Sequence, residues 1–438
     1  MEKRLEDYLA RHAAERGERV AVACDGENLT YRQLLDQATE RASILRGQAE
    51  RAIPLEATPS LDFIVTYLAC HLAGKACVPL ERGIPNARLE EIRRLLHTSA
   101  IPEEVADILF TTGTTGQSKG TMLSQQAIVA NGENLVAAQG FHAGLTFIIS
   151  GPLNHIGSLS KLWPMLMVGG TTVITQGLKD LAAFYQAVDS HPGPLATFLV
   201  PASLRFLLRL DRERWSARAA RFEFIETGAA PMSQVDMEEL VALSPYTRLY
   251  NTYASTETGI VCTHDYAHEG CWAGCLGKPM KHAQLSISPQ GTIVCRGLML
   301  MTGYLADPAL TASVLRDGRL HTNDLGHLDS QGRLRLTGRQ GDLINTGGYK
   351  VSPVEVEQAA MAFPGIADCV CLGQAHPVMG SVLKLIYVPC QGQDFRLPDL
   401  VAHLKQRLEP YQVPALYEKA SSIHRTYNGK LDRKAYQA

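Results

Sequence analysis

Leu109-Phe110-Thr111-Thr112-Gly113-Thr114-Thr115-Gly116-Gln117-Ser118-Lys119-Gly120 is a short apolar strand running into a loop of glycines, hydroxyls and one lysine. Gly113, Gly116 and Gly120 let the backbone take positive φ and approach a ligand closely, so that its amides can point at phosphate oxygens. Thr111, Thr112, Thr114, Thr115 and Ser118 add hydroxyl donors, and Lys119 adds a point charge. From Gly113 to Lys119 the spacing is G-x-x-G-x-x-K without a GK[ST] ending, so this is not the Walker loop. A bland surface turn needs only a few such residues, whereas six hydroxyls or glycines in succession ending near a lysine predict a phosphate cradle.

The rest of the composition agrees with a small anionic ligand held locally. Lys plus Arg number 42 against 44 Asp plus Glu, so no global field favours nucleic acid or an anionic membrane. The stretch Met1 to Arg19 has no apolar core behind a basic start, and nowhere do about 18 unbroken apolar residues occur. The expectation is a cytoplasmic chain with no integral membrane segment and no nucleic-acid partner. Ten cysteines are scattered, and the closest groups, Cys271/Cys275 and Cys369/Cys371, lack paired CxxC spacing, which predicts buried reduced thiols. At 438 residues the length suits roughly three units of ~150 residues, or one large lobe with an appendage.

Along the chain, helical spacing over Leu5 to Arg16, strand-like Val20 to Cys24, a turn at Asp25 to Asn28 and a helix capped by Thr30 open the pattern. Ser60 to Ala73 reads as an apolar helix, Ala76 to Leu80 as a buried strand, Ala87 to Leu96 as a charged helix. Past the cradle, Ser124 to Gln139 reads as a helix, and strands follow at Thr146 to Ser150, Thr171 to Thr175, Thr197 to Val200 and Phe224 to Thr227. Alternating strands and helices predict an α/β lobe, with ligands at the strand ends that carry glycine or polar loops. From about Leu285 short strands and turns take over, including Gln284 to Ile287, Thr292 to Arg296, His327 to Asp329 and Arg333 to Thr337. Beyond Arg339 a small α+β unit is expected, its first helix capped by Ser352 with Pro353 at the first position. The boundary is placed at Gln340/Gly341, giving domains 1–340 and 341–438.

Four further segments carry chemistry. Tyr250-Asn251-Thr252-Tyr253-Ala254-Ser255-Thr256-Glu257-Thr258-Gly259 sets a carboxylate beside hydroxyls; alone, Glu257 reads as a helix-cap acid. His321-Thr322-Asn323-Asp324 ends in a fixed acceptor. Gly338-Arg339-Gln340-Gly341-Asp342 leads to Gly347-Gly348-Tyr349-Lys350. Asn428-Gly429-Lys430-Leu431 places a lysine on a tight turn in a basic tail, where by default it is a solvated charge.

With the cradle, and in this order, these segments resemble the core motifs of the adenylate-forming superfamily, which includes acyl-CoA synthetases, aryl-CoA ligases, peptide-synthetase adenylation domains and luciferases. The resemblance runs from about Leu29 to Lys434. It implies a large N-terminal AMP-binding domain of layered sheets and helices and a small mobile C-terminal α+β lid, with ATP, Mg²⁺ and coenzyme A as cofactors. It implies that Thr111, Thr112, Gly113, Thr114, Thr115, Gly116 and Lys119 grip the pyrophosphate side of ATP. Gly228, Ala229 and Ala230 form the small-residue strand end against which adenine and the acid pack. Asn251 then belongs to the nucleotide site, Tyr253 stacks near the adenine, Thr256 contacts the α-phosphate, Glu257 holds Mg²⁺, Asp324 takes both ribose hydroxyls and Arg339 contacts the nucleotide. Lys430 becomes the catalytic cation bridging carboxylate and α-phosphate as two anions approach. Gly348 and Lys350 belong to the loop lining the pantetheine tunnel after the lid rotates about Gly341.

Three departures from the superfamily stand out. Gly341 replaces the usual Asp or Lys of the hinge, which permits rotation and removes a polar anchor. Only Glu90 to Asp107 remains of a longer strand-helix stretch before the cradle, so the lobe is trimmed. Ser118 stands where proline is usual. Pro152-Leu153-Asn154-His155-Ile156-Gly157 resembles the PLFH-type segment of acyl- and aryl-CoA ligases, which puts His155 at the edge of the acid pocket with Gly228; a satisfied structural histidine is the other reading. No aspartate for an α-amino group is recognisable, so a non-amino carboxylic acid is expected: fatty, aromatic or succinylbenzoyl-type. The alternatives are loading of a carrier-protein pantetheine and, in another class, a non-catalytic acyl- or nucleotide-binding module.

Overall fold

The structure is a computed structural model that describes residues 3–112, 118–376, 379–390, 392, 395–426 and 429–436. The fold is α/β, as expected. Among the described residues its spine is a 14-stranded sheet. One half is parallel, running Arg248–Ser255, Phe222–Gly228, Leu195–Phe198, Thr146–Ile149, Thr171–Ile174 and Val20–Cys24, and closes with antiparallel Glu27–Thr30. Thr146–Ile149 and Thr171–Ile174 are buried at every position, as parallel strands covered on both faces must be. On the other side of Arg248–Ser255 the sheet turns antiparallel through Gly259–Asp265, Cys275–Pro279, Leu334–Arg339, Arg319–Leu328, Thr292–Gly297 and Ala283–Ile287. The expected strand at His327 is the end of the longer Arg319–Leu328.

A second sheet orders Gly303–Tyr304, Ser118–Ser124, Val105–Thr112, Ala76–Leu80 and Ala52–Glu56. Here the sequence reading, which passed from the cradle straight to a helix, missed a strand. Ser118–Ser124 pairs antiparallel with Val105–Thr112, Thr111 facing Lys119, so the strands before and after the cradle form one antiparallel pair. The side chains of that strand carry too little alternation to announce it, and its pairing with Gly303–Tyr304 comes from far along the chain.

Side-chain caps fix the helix starts. Thr30 Oγ1 accepts from Gln33 N–H at 3.2 Å, Ser60 Oγ from Phe63 N–H at 3.2 Å, and Ser124 Oγ from Ala127 N–H at 3.1 Å. The helix Gln125–Gln139 lies against the site strands. Its buried Asn131 accepts from Ile260 N–H at 2.6 Å and donates to Ala127 O at 2.8 Å.

The C-terminal segment has its own core of Val351, Val356, Ala360, Cys371, Leu385, Leu400 and Leu404. Its sheet of Ile366–His376, Gly380–Pro389 and Leu416–Lys419 is covered by the helices Pro353–Met361 and Leu397–Lys405. The expected Ser352 cap is not made. Ser352 Oγ donates instead to Thr337 O at 2.7 Å, spending the hydroxyl on a tie to the last strand of the large lobe. Among the described residues no helix is long and apolar enough to cross a membrane.

Candidate active site

The ends of Phe222–Gly228 and Arg248–Ser255, the cradle strands and the turn after Leu334–Arg339 supply the side chains of one cleft. At Gly228 a Cβ would lie 2.7 Å from Thr252 O, so only glycine lets the two strands approach there. The next residue, Ala229, takes φ +67°, a left-handed conformation that costs energy for any residue with a Cβ. Ala230 follows in the same bend.

Tyr253 stands on the first strand, and Glu257 in the connecting turn, of the hairpin formed by Arg248–Ser255 and Gly259–Asp265. Tyr253 is buried and donates its hydroxyl to Asp324 Oδ2 at 2.7 Å, which together with burial keeps the phenol well above the usual tyrosine range. Asn251, two residues back on the same strand, is buried and gives its amide to Cys275 O at 3.2 Å. Ser255 and Thr258 lock the tip: Thr258 N–H donates to Ser255 Oγ at 3.0 Å and Ser255 N–H to Thr258 Oγ1 at 2.9 Å. Thr256 and Glu257 are therefore presented on a fixed β-turn. Glu257 is not a helix cap; its Oε1 accepts the Tyr304 hydroxyl at 3.0 Å.

Asp324 and Arg339 face each other across Arg319–Leu328 and Leu334–Arg339, with Arg339 Nε 3.6 Å from Asp324 Oδ1. Lys119, opposite Thr111, reaches the Tyr304 ring with its ammonium 5.6 Å from the centroid. Gly113, Thr114, Thr115 and Gly116 lie outside the described residues, as does the side chain of Thr112.

Lys430 enters this cleft from the C-terminal tail. Burial, and then the Arg339 guanidinium, hold its ammonium below the usual lysine range, while Glu257 and Asp324 draw it back up. His155 is brought to the same place: burial and the Lys430 charge push its imidazole down to about 4, so it is neutral at physiological pH. The structure thus brings together Glu257, Asp324, Arg339, Lys430 and His155. It does not bring Gly348 or Lys350 with them. The turn at Gly347–Gly348 is held within the C-terminal segment by Gly347 N–H to Met379 O at 3.1 Å, and exposed Tyr349 stacks on Tyr411 at 4.3 Å between centroids. Gly341 sits in a short 3₁₀ turn where a Cβ would meet open space, so no close approach demands glycine there in this orientation.

Several residues of the cleft were not foreseen. Tyr304, which ties Glu257 to the cradle side, follows a run of methionines and has no spacing to any motif. Beneath Phe198, Lys161 and Glu226 form an ion pair at 2.8 Å, 2% and 1% exposed, with the ammonium 5.1 Å from the ring centroid. Phe198 in turn lies 3.1 Å from where a Cβ on Gly157 would stand and 3.6 Å from one on Gly228. Lys161 gave no sign in the sequence because it is a lone lysine between Ser160 and the apolar Leu162 to Val168, with its partner Glu226 65 residues away.

The tail that carries Lys430 is anchored by paired charges. Arg433 donates to Glu357 Oε1 at 2.6 Å and to Cys371 O at 2.8 Å. Arg425 Nη2 reaches both oxygens of Asp368, at 2.8 and 2.7 Å.

The chain matches the family model for AMP-binding enzymes over residues 9–102 and 96–305, and the model for the AMP-binding enzyme C-terminal domain over residues 355–430. It is 26% identical over 473 residues to a 2-succinylbenzoate-CoA ligase of Staphylococcus epidermidis, covering 98% of this chain and 96% of that protein. An indoleacetate-CoA ligase of Aromatoleum aromaticum is 26% identical over 495 residues, with 98% and 96% covered. Alignments longer than the 438-residue chain reflect segments that these relatives carry and this chain lacks. ATP-bound MatB from Rhodopseudomonas palustris superposes with a TM-score of 0.85 at 22% identity, covering 100% of this chain and 98% of that one. The o-succinylbenzoate CoA synthetase MenE from Bacillus subtilis, in complex with the acyl-adenylate intermediate OSB-AMP, gives 0.82 at 22% identity, with 98% of each covered. With both family models matched in order, and CoA ligases among its relatives, this chain is a member of the AMP-binding enzyme family, in the acyl- and aryl-CoA ligase branch of the adenylate-forming superfamily.

Proposed function

We propose that this protein is an ATP-dependent carboxylate-CoA ligase that activates a non-amino carboxylic acid as its adenylate, releases pyrophosphate and passes the acyl group to the thiol of coenzyme A. The observation that carries this reading is the arrival of Lys430, from the tail, among Glu257, Asp324, Arg339 and His155. Attack of a carboxylate on the α-phosphorus brings two anions together, and a preorganised ammonium between them stabilises the charge that builds up. Asp324 accepts from the ribose hydroxyls and Arg339 faces the nucleotide from the next strand. Thr256 donates to the α-phosphate, and the cradle with Lys119 holds the departing pyrophosphate. Asn251 and Tyr253 flank the adenine beside Gly228, Ala229 and Ala230. His155, uncharged, sets the edge of the acid pocket without competing with Lys430 for the carboxylate.

Glu257 fits a magnesium site: Oε1 is taken by the Tyr304 hydroxyl, and a lone carboxylate suits a hard cation whose remaining ligands are phosphate oxygens and water. Bound there, Mg²⁺ supplies charge neutralisation on the phosphates. In the second half-reaction the C-terminal domain, 341–438, turns about Gly341 and carries the Gly348/Lys350 loop to the pantetheine. The exposed position of that loop here suits the adenylating orientation.

The names of two relatives, a 2-succinylbenzoate and an indoleacetate ligase, favour an aryl-bearing acid. The test is acid-dependent pyrophosphate release over fatty, aryl and dicarboxylic acids, followed by detection of acyl-CoA. We expect at least one acid to give both products. Adenylate without acyl-CoA points to a carrier-protein acceptor, and no acid-dependent release across the panel refutes the reading.

A further inference from the structure

We infer that the helix Pro201–Leu210 is the docking surface that selects the adenylating orientation of the C-terminal domain, with Arg205 as its latch and a positioning residue for Lys430. The inference rests on the ligase reading above, in which that domain must leave and return in each cycle.

Two contacts, one turn apart on this helix, define the surface. At its start, Gly429 packs on Val200 and Ala202. Gly429 takes φ +78°, and a Cβ there would fall 2.9 Å from Val200 Cγ2, so the residue next to Lys430 is fitted to the helix as a glycine. Further along, Arg205 Nη1 donates to Asp368 Oδ1 at 3.2 Å across the lobes, the two side chains 13% and 20% exposed. Asp368 also takes the guanidinium of Arg425, whose Nη1 donates to Gly429 O at 3.3 Å. The chain of contacts Arg205, Asp368, Arg425, Gly429 thus runs from the large lobe to the residue beside the catalytic lysine.

The latch is built to open. Arg205 keeps a second carboxylate on its own lobe: its Nε donates to Asp236 Oδ2 at 3.0 Å, and Asp236 is buried. When Asp368 departs with its Arg425, neither arginine is left without an anion, so release strands no buried charge. Gly341 has no side chain with which to fix either orientation, and this distant pair supplies the polar anchor that the hinge itself lacks.

The test separates the half-reactions in single turnover: pyrophosphate release from acid and ATP, and acyl-CoA formation from supplied acyl-adenylate. Arg205→Ala is expected to slow adenylation about 10-fold, the scale of one charged hydrogen bond, and to leave the second step unchanged or faster. Arg205→Lys should recover most of the loss. Equal slowing of both steps, or no change in either, overturns the latch. Because Arg205→Ala also strips Asp236 of a partner, the wild-type protein provides a second readout. Raising KCl from 50 to 500 mM, on the order of a threefold shorter screening length, should slow its adenylation more than its thioester step. Equal salt dependence of the two steps counts against the latch. A wild-type protein inert in both steps would refute the ligase reading itself, a different outcome from either.

Discussion

Lys161 and Lys430 are kept in opposite ways. Lys161 is sealed behind Phe198 with a carboxylate of its own, Glu226, at 2.8 Å. Lys430 arrives on a glycine turn from the other end of the chain and shares two carboxylates, Glu257 and Asp324, with a competing arginine. A buried lysine with a dedicated partner is spent on the fold. One whose counter-charges are contested is available to a substrate anion. Lys161 is sealed from solvent and Lys430 is exposed, and the allocation of counter-charge separates them further.

The first way to break this comparison is to remove Lys161. Lys161→Met leaves Glu226 as an uncompensated buried carboxylate and should cost about 3–5 kcal/mol of stability, read as a lowered urea midpoint. The double variant Lys161→Met/Glu226→Leu should recover most of it. If the single variant is as stable as wild type, the pair is not what closes that wall.

Removing Lys430 should do the reverse. Lys430→Ala should fold normally and slow adenylation by about 10²–10³, the range for losing one transition-state donor, while sparing thioester formation from supplied acyl-adenylate. Because burial and Arg339 lower its pKa, adenylation by the wild type should decline on the alkaline side at a pH below that of an ordinary lysine. The pH profile of kcat/KM for the acid reads this directly, and an alkaline limb unchanged in Lys430→Arg would reassign it.

His155, whose imidazole feels the Lys430 charge, sharpens the contrast. Its imidazole is pushed from 6.5 to about 4 by burial and by Lys430. The unfolded chain takes up that proton as pH falls through its ordinary value, and the folded one does not. Stability is therefore complete above pH 6.5 and declines as pH falls towards 4. The loss should reach roughly 1–3 kcal/mol, and His155→Asn should flatten that part of the stability profile. Lys430→Ala should reduce it only in part, since burial is the larger cause.

The sequence showed one of these lysines and not the other for a physical reason. Lys430 needs a turn that delivers it, and turns are written locally, as Gly429 before the lysine. Glu257 likewise stands in a turn, Arg339 at a strand end and Asp324 at the close of the polar run His321 to Asp324, where polar residues interrupt apolar alternation. Lys161 and Glu226 are 65 residues apart, and only the fold pairs them. The same holds for Arg205 and Asp368, 163 residues apart. The strand Ser118–Ser124 pairs with Val105–Thr112 just before it but carries no apolar alternation to announce it, and Ser352 is no cap because a carbonyl of the large lobe, Thr337 O, takes its hydroxyl. Local chemistry was legible; pairings across the chain were not.

Tyr304 offers the smallest test and the most specific. Its hydroxyl donates to Glu257 Oε1 at 3.0 Å, its ring receives the Lys119 ammonium at 5.6 Å, and its backbone pairs with Thr121 of the strand after the cradle. One side chain therefore sets the carboxylate assigned to the metal against the strand that carries the phosphate cradle. Tyr304→Phe keeps the ring, the cation contact and the buried area, and deletes only the hydroxyl. Net of solvent exchange, such a hydrogen bond to a carboxylate contributes about 1.5 kcal/mol, close to a tenfold change. If the hydroxyl serves to orient Glu257, the loss should appear as weaker Mg²⁺ dependence of adenylation, with the metal concentration for half-maximal rate raised about tenfold and the rate at saturating metal nearly unchanged. A lower rate at every metal concentration would mean instead that the hydroxyl touches the phosphates themselves, placing Tyr304 with Lys430 among the groups whose charge is free for the substrate.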